Sequence, residues 1–372
     1  MSQTVYLIRH AMPDLPLEER WCVGGRTDLP LGTLGCLQAS LLPHMPQLQN
    51  VRKVYCSSLS RARETALPLS SAPVAVPGLE EQDMGVWDGL SFVEIMERFP
   101  ELYAAREINP DLLPEGAESN EVLRARVRAA VLRCMEGVDG DIAIVSHKSA
   151  IASLTGHRAS LAYASVTPLH YDGTDFHADA IALLPHPVLT DAVCLDLLRA
   201  AGAGPELIAH CFAVAEQAKR LCDEANEKGA GLDIHLVRRA ALLHDLAKGQ
   251  PHHAKLGAIW LRELGYPEEA ALVRQHNEPD EPGLSEAALV FLADKTVRGA
   301  ARVSIEDRFA ATRGRCRTPE AIEAHSRRLA KALALKEELH LLCGTELIGS
   351  KAQEETYETD ENRGGRRPHP LP

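Results

Sequence analysis

The chain has 372 residues, 45% hydrophobic and 25% charged, with a formal net charge of -12. That length exceeds one typical domain, and the composition is globular. The acidic balance argues against general binding to nucleic acid or an anionic membrane surface, but not against small phosphorylated partners, because a few arginines or a metal override a global field locally. The nine cysteines are scattered and form no CxxC pair, which fits a reduced, cytoplasmic protein better than a disulfide framework. No basic segment followed by an apolar one opens the chain, and no apolar run of about 18 residues reads as a membrane span.

Thr4-Val5-Tyr6-Leu7-Ile8 predicts a short buried strand ending in Arg9-His10. In an open α/β sheet, ligands bind beyond the carboxyl ends of the strands, so an Arg-His pair there suits chemistry on an anion. A loop rich in turn formers follows, then a helix from Thr33 to about Leu42. Val54 to Ser58 predicts a second strand, and a helix start after Leu59 brings in Arg61. Free N–H groups at a helix start also suit an anion. Val74-Ala75-Val76 predicts a third strand, leading to an acidic, glycine-containing loop with Glu80 and Glu81. Helices are predicted over about 91–106 and 119–136, the second capped by Ser119. Ile142 to Ser146 predicts a fourth strand, ending in His147, with a helix from Ser149 to about Leu154. Val166–Tyr171 and Ala178–Leu184 read as strands around the turn Asp172-Gly173-Thr174.

Strands alternating with helices define an α/β domain, with a mostly parallel sheet flanked by helices. Each polar residue has an ordinary reading alone: a histidine after a strand is more often a hydrogen-bonded rim residue, and Arg61 a surface one. Their recurrence at equivalent strand ends points to a site.

These motifs resemble the histidine phosphatase superfamily, which includes phosphoglycerate mutases and small-metabolite phosphatases. Arg9-His10 matches its Arg-His-Gly opening, Ser57 to Ala62 its second arginine motif, Glu81 its acidic residue and Ser146-His147 its closing histidine. The resemblance spans roughly the first 185 residues. It implies that His10 attacks phosphorus, that Arg9, Arg61 and His147 surround the phosphoryl oxygens, and that Glu81 serves as acid and then base, with no cofactor in this domain. Two departures stand out: Ala11 replaces the glycine after the nucleophile, where a special backbone geometry is one reason for glycine, and Lys148-Ser149 replaces a pair of small residues.

Leu184-Pro185-His186-Pro187 predicts a stiff linker, placing the first domain at 1–186 and a second at 187–346. Strands are not expected beyond it. Thr190-Asp191 predicts a cap for a helix at 192–200, and further helices are predicted over 206–226, 233–247, 253–264, 268–276, 285–297, 304–312 and 319–342, making an all-α domain. His210, His244-Asp245 and Asp294 fall inside apolar runs. A buried aspartate or histidine is costly unless paired or bound to a cation, and His with carboxylate suits Fe, Mn, Zn or Co.

This half resembles the HD phosphohydrolase superfamily, over about 190–345. His210, His244, Asp245 and Asp294 match its metal ligands, and Lys248 a lysine that contacts substrate phosphate. His253 and His276 match the extra ligands of a binuclear subset, with His252 adjoining the first of them. The resemblance implies one or two divalent ions and a nucleotide-like phosphate ester or anhydride as substrate. The polar segment 347–372 is expected to be disordered.

The combined expectation is a bifunctional phosphohydrolase of small phosphorylated metabolites or nucleotides, with no nucleic acid or membrane partner. The alternatives are a nucleotide-responsive regulatory protein whose first domain binds phosphate without turnover, and a protein in which only the HD domain is active.

Overall fold

A computed structural model describes residues 3–109, 111–156, 161–179 and 182–344. The chain divides into two compact units, Met1–Val188 and Leu189–Pro372. The tail expected to be disordered lies outside the described residues.

The first unit is built on a six-stranded sheet of β1 (Thr4–Arg9), β2 (Lys53–Cys56), β3 (Val74–Ala75), β4 (Ile142–Ser146), β5 (Val166–Tyr171) and β6 (Phe176–Ala178), in the order β3-β2-β4-β1-β5-β6. The first four strands of that order run parallel, and β5 and β6 are antiparallel additions. Arg9 pairs with Ser146, and Cys56 with Val145. This register brings His10, Ser57 and His147 out at one sheet edge.

Alternation places successive side chains on opposite faces. Leu7 packs with Leu79, Val127, Val131 and Ile144 on one face; Ile8 packs with Leu42, Val54, Ala62 and Val145 on the other. Each such burial contributes roughly 1.5–3 kcal/mol, so the strand that carries the Arg-His pair is anchored on both sides. The helices are α1 (Thr33–Leu41), α2 (Ser60–Ala66), α3 (Phe92–Arg98), α4 (Pro100–Ile108), α5 (Asn120–Met135) and α6 (Lys148–Thr155).

Two local expectations need correction. The helix expected at 91–106 is two helices, α3 and α4. Phe99 leaves the helical region (φ -135, ψ 50), because the following Pro100 disfavours α geometry in the residue before it. The hairpin partner of β5 is Phe176–Ala178, earlier than the expected Ala178–Leu184; of that stretch, residues 180–181 lie outside the described residues and Leu183 bridges Val166. The turn closes tightly, because the Asp172 carboxylate accepts from the amides of Thr174 and Asp175, so Tyr171 pairs with Phe176.

The second unit comprises α7 (Asp191–Ala200), α8 (Pro205–Glu227), α9 (Ile234–Leu243), α10 (His253–Glu263), α11 (Pro267–Gln275), α12 (Glu286–Lys295), α13 (Ile305–Arg313) and α14 (Pro319–Cys343). Thr190 caps α7 by accepting from the Val193 amide, and Asp233 caps α9 through the amides of His235 and Leu236. A two-stranded ribbon, β7 (Val297–Arg298) with β8 (Ala301–Arg302), is the exception to the expected absence of strands.

α9 also ends four residues earlier than expected. Leu246 and Ala247 continue its apolar period, but from His244 to Gly249 the backbone runs in short turns: the Leu246 amide donates to Leu243 and that of Lys248 to Asp245. Gly249, at φ +94, then turns the chain away. The His-Asp doublet thereby leaves the helix and turns into the bundle.

Candidate functional site

The first site forms where β1, β2 and β4 end. Its cleft, about 300 Å³, is lined by Arg9, His10, Trp21, Glu81, Lys148 and Tyr163 among others. His10 and Glu81 are buried, and Arg61 and His147 have no exposed surface. The His10 and His147 rings lie 5.0 Å apart.

The His10 Nδ1 lies 2.7 Å from its neighbour's carbonyl at Ala11, so Nδ1 carries the proton and donates. The lone pair is left on Nε2. Burial, then the cations of Arg9 and Arg61, hold the His10 imidazole well below its ordinary 6.5, so it is neutral at pH 7. Burial, His10 and the same arginines do likewise for His147.

The arginines are fixed from behind. Arg61 donates to the carbonyls of Thr27 (2.7 Å) and Gly24 (3.1 Å); Arg9 donates to Leu161 (2.7 Å) and stacks on Tyr163 at 3.9 Å. Four buried nitrogens here have no hydrogen-bond partner: Arg9 Nε, Arg61 Nε and both ring nitrogens of His147. Buried polar atoms are almost always satisfied. His147 is neutral, so one of its ring nitrogens donates beside the two Arg Nε groups, and a tetrahedral oxyanion is the ligand that such unpaired donors suit.

The Glu81 carboxylate accepts from the amides of Gln82 (2.8 Å), Ser149 (3.1 Å) and Ala150 (3.3 Å), at the start of α6. Glu80, its neighbour, turns away to Ser58 and Gly78. Arg126 on α5 holds their loop by donating to the carbonyls of Gly78, Glu80 and Glu81. The concern over Ala11 is answered by its backbone: among the described residues the non-glycine positions with positive φ are Ala164 and His252. Its methyl group packs with Leu31, Ala39 and Ala164, and its amide donates to the Thr65 hydroxyl at 2.9 Å. Lys148 stands at the cleft with its side chain toward solvent; burial of its base, then Arg9 and Arg20, lower its pKa.

The second site lies among α8, α9, α10, α11 and α12. Asp245 stands at its centre. Its Oδ2 is 3.4 Å from His244 Nε2 and 4.0 Å from His210 Nε2; its Oδ1 is 3.3 Å from His253 Nε2 and 3.7 Å from His276 Nε2. Asp294 Oδ1 lies 3.3 Å from His210 and 3.8 Å from His244. Two candidate ligand sets result, His210-His244-Asp294 and Asp245-His253-His276, each with donor atoms within 4.8 Å of one another.

Three of these histidines bond a backbone carbonyl through Nδ1: His210 to Gly299 (3.0 Å), His244 to Ala241 (2.7 Å) and His276 to Val273 (2.7 Å). That fixes the tautomer and turns Nε2 inward, as a metal ligand requires. His253, not its exposed neighbour His252, faces Asp245; His252 sits outside α10 at φ +52.

A divalent cation fits this donor set on the site's own evidence. His244 Nε2 and Asp245 Oδ1 are buried without a hydrogen-bond partner, and imidazole nitrogens with carboxylates are borderline-metal ligands. The charges agree. Burial pushes the Asp245 carboxyl up, but His244, His253 and Lys248 outweigh it and hold the group ionised. Burial likewise opposes ionisation of Asp294, and Lys295, His210 and His244 overcome it. His276 is pushed down to about 3, by burial first and then by His244 and Lys295, so it is a neutral donor.

Lys248 Nζ pairs with Asp245 Oδ2 at 2.8 Å with half its side chain exposed, at the mouth of the site. Sequence reasoning missed Thr65, Tyr163 and Arg126 around the first site and Lys295 and Arg308 around the second. Lys295 alone carried a signal: a lysine directly after Asp294 in an otherwise apolar helix.

The fold and the two sites define a phosphate-handling α/β domain joined to a helical domain with a metal-type cluster. Residues 5–179 match the family model of the histidine phosphatase superfamily (branch 1), and residues 207–299 match the HD domain. The chain carries a histidine phosphatase superfamily domain and an HD domain; both domains belong to phosphatase and phosphohydrolase families, and HD domains are metal-dependent. An uncharacterized protein of Methanocaldococcus jannaschii is 35% identical over 121 residues, covering 27% of this chain and 72% of the relative. A protein of Mycobacterium tuberculosis named bifunctional is 31% identical over 154 residues, covering 40% of this chain; the chain spans only 42% of that relative's length. Among solved structures, a mycobacterial glucosyl-3-phosphoglycerate phosphatase superposes with a TM-score of 0.42 at 23% identity, covering 50% of this chain and 100% of its own. Among the described residues, no helix is long and apolar enough to cross a membrane.

Proposed function

We propose that the chain hydrolyses phosphate esters at two independent sites. The first cleaves a small phosphomonoester through a phosphohistidine. The second acts, with bound metal, on a nucleotide-like phosphate ester or anhydride. The observation that carries the first half is the set of four buried, unpartnered nitrogens facing a neutral His10.

In the first site, His10 Nε2 attacks phosphorus as the bond to the leaving oxygen breaks. The leaving alkoxide takes the proton of the Glu81 carboxyl. Arg9, Arg61 and His147 donate to the equatorial oxygens, where transition-state charge collects, and their fixed positions avoid reorganisation. Glu81 then takes a proton from water. That oxygen displaces Nε2, releasing phosphate and restoring neutral His10.

In the second site, His210, His244 and Asp294 would hold one divalent ion and Asp245, His253 and His276 another, with one Asp245 oxygen on each side. Such ions supply Lewis-acid polarisation of a phosphoryl oxygen. The chain's own residues orient the site: the backbone carbonyls of Ala241, Val273 and Gly299 aim the imidazoles, and Lys248 offers its ammonium to substrate oxygens at the mouth. The acidic net charge supports a small substrate over nucleic acid. Nine free cysteines support a reducing, cytoplasmic setting.

The test is phosphate release from a panel of monoesters and nucleotides by the full-length protein, with and without EDTA. EDTA-resistant release from monoesters beside EDTA-sensitive release from nucleotides is expected. Stoichiometric binding without release from any substrate would overturn the reading in favour of a regulatory protein.

A further inference from the structure

A second pocket in the helical unit, of about 420 Å³, is lined by α13, α14 and Lys295 of α12; apart from Lys295, its lining lies beyond the residues that match the HD domain. Lys295, Arg308, Arg315, His325 and Arg328 line it, and no carboxylate does among the described residues. In a chain of net charge -12, a pocket with four permanent cations is a local reversal of sign.

The cations are incompletely neutralised. Arg315 is exposed and has no ion pair among the contacts of the described residues; Arg328 meets Glu278 through Nε at 3.6 Å, beyond hydrogen-bond distance. Lys295 and Arg308 share one carboxylate, Asp294, which Arg308 reaches only at 3.6 Å. Phe309, Ala321 and Ala324 add apolar lining. Asp294 is also a member of the metal-type cluster, so Lys295 and Arg308 form a wall common to pocket and cluster.

We propose that this pocket binds an oligophosphate group through Arg308, Arg315 and Arg328, separately from the ligands of the metal cluster. Planar guanidinium forks match phosphate oxygens bidentately, and three of them lining one pocket favour a ligand with more than one phosphate. The ligand is either a distal part of the HD-site substrate or a separate effector with the same chemistry. The assignment of the neighbouring cluster as catalytic rests on the preceding reading; binding in the pocket does not.

Cys316 gives a local readout. It lines the pocket and is partly exposed, and Cys36, in the other unit, is likewise partly exposed and serves as an internal control. The full-length protein in EDTA is alkylated with iodoacetamide, with and without inorganic triphosphate, and both cysteine peptides are followed by mass spectrometry. Triphosphate is expected to slow alkylation of Cys316 severalfold and to leave Cys36 unchanged. Arg315→Ala should weaken the protection about tenfold in triphosphate concentration, with partial rescue by Arg315→Lys. Unprotected Cys316, or protection that survives Arg315→Ala combined with Arg328→Ala, would overturn the proposal.

Two supporting outcomes identify the source. A rise in KM for nucleoside triphosphate in Arg315→Ala, with nucleoside monophosphate unaffected, marks the pocket as part of the substrate site. Unchanged KM values with triphosphate altering kcat in the wild-type protein mark it as an effector site. The catalytic reading is tested separately: EDTA-sensitive release that persists in Asp245→Asn removes it while leaving the cysteine experiment intact.

Discussion

The two sites hold phosphate chemistry in opposite ways. The site at the end of β1 is a set of donors. Arg9, Arg61 and His147 present unpaired nitrogens, and even its central His10 is neutral, because it is buried and the same arginines surround it. An oxyanion can enter directly. The site around Asp245 is a set of acceptors: inward-facing Nε2 atoms and two ionised carboxylates. That set repels a phosphate until a cation stands between them. The comparison shows that burial alone does not define a phosphate site. What decides is whether the buried polar atoms left without partners are donors or acceptors.

The most severe way to break this comparison is to remove the centre of each site in turn. His10→Ala should lower EDTA-resistant monoesterase activity by on the order of 10³-fold or more, with the EDTA-sensitive activity retained, because it removes the attacking atom itself. Asp245→Asn should produce the reverse pattern, with loss of bound metal by elemental analysis. If either substitution depressed both activities equally, the two sites would not be independent.

Arg61→Lys should cost about 10²-fold in kcat of the first site. A lysine cannot donate to Thr27 and Gly24 and still present a fork to the phosphoryl group. Steady-state kinetics on a purified, folded variant would decide it, and a full-rate variant would show that charge alone suffices.

The pH response sharpens the donor-site description further. An ordinary histidine is about 90% protonated at pH 5.5. Because the His10 pKa is lowered, its neutral form persists as pH falls, so kcat at the first site should keep more than half its value at pH 5.5. Stability should move the other way. His10 and His147 stay neutral in the folded state while the unfolded chain takes up protons, so stability is lost as pH falls through about 6.5. Thermal unfolding between pH 7.5 and 5.5 would measure that slope, and a flat curve would contradict the lowered pKa values. The smallest effect is expected for Lys148→Ala, a change of less than about tenfold in KM with kcat retained, since this lysine stands at the cleft mouth and orients nothing.

Much of this architecture was legible in particular stretches. Thr4 to Ile8 and Ile142 to Ser146 are β-branched runs too short for helices, and each ends in a polar residue that strand geometry delivers to a sheet edge. His210, His244-Asp245 and Asp294 interrupt apolar helical periods, which is costly unless something pairs with them. The misreadings came where tertiary or local backbone terms outweighed periodicity. Pro100 split a helix by acting on Phe99, Asp172 tightened the β5–β6 turn, and the turns before Gly249 ended α9 just ahead of the doublet.

The sequence alone determined the residue types, their order and the elements that carry them, because periodicity, proline and cap chemistry act over a few neighbours. The motif resemblance already favoured Glu81 over Glu80 and His253 over His252; only the tertiary structure shows Glu81 bonded to the amides at the start of α6, Glu80 turned to Ser58, and His253 facing Asp245. It alone showed that Ala11 needs no glycine geometry, that Thr65, Tyr163 and Arg126 support the first site from distant segments, and that α13 and α14 gather cations beside Asp294. These facts depend on sheet register and helix packing, which bring together atoms dozens of residues apart, and no local pattern encodes such distances.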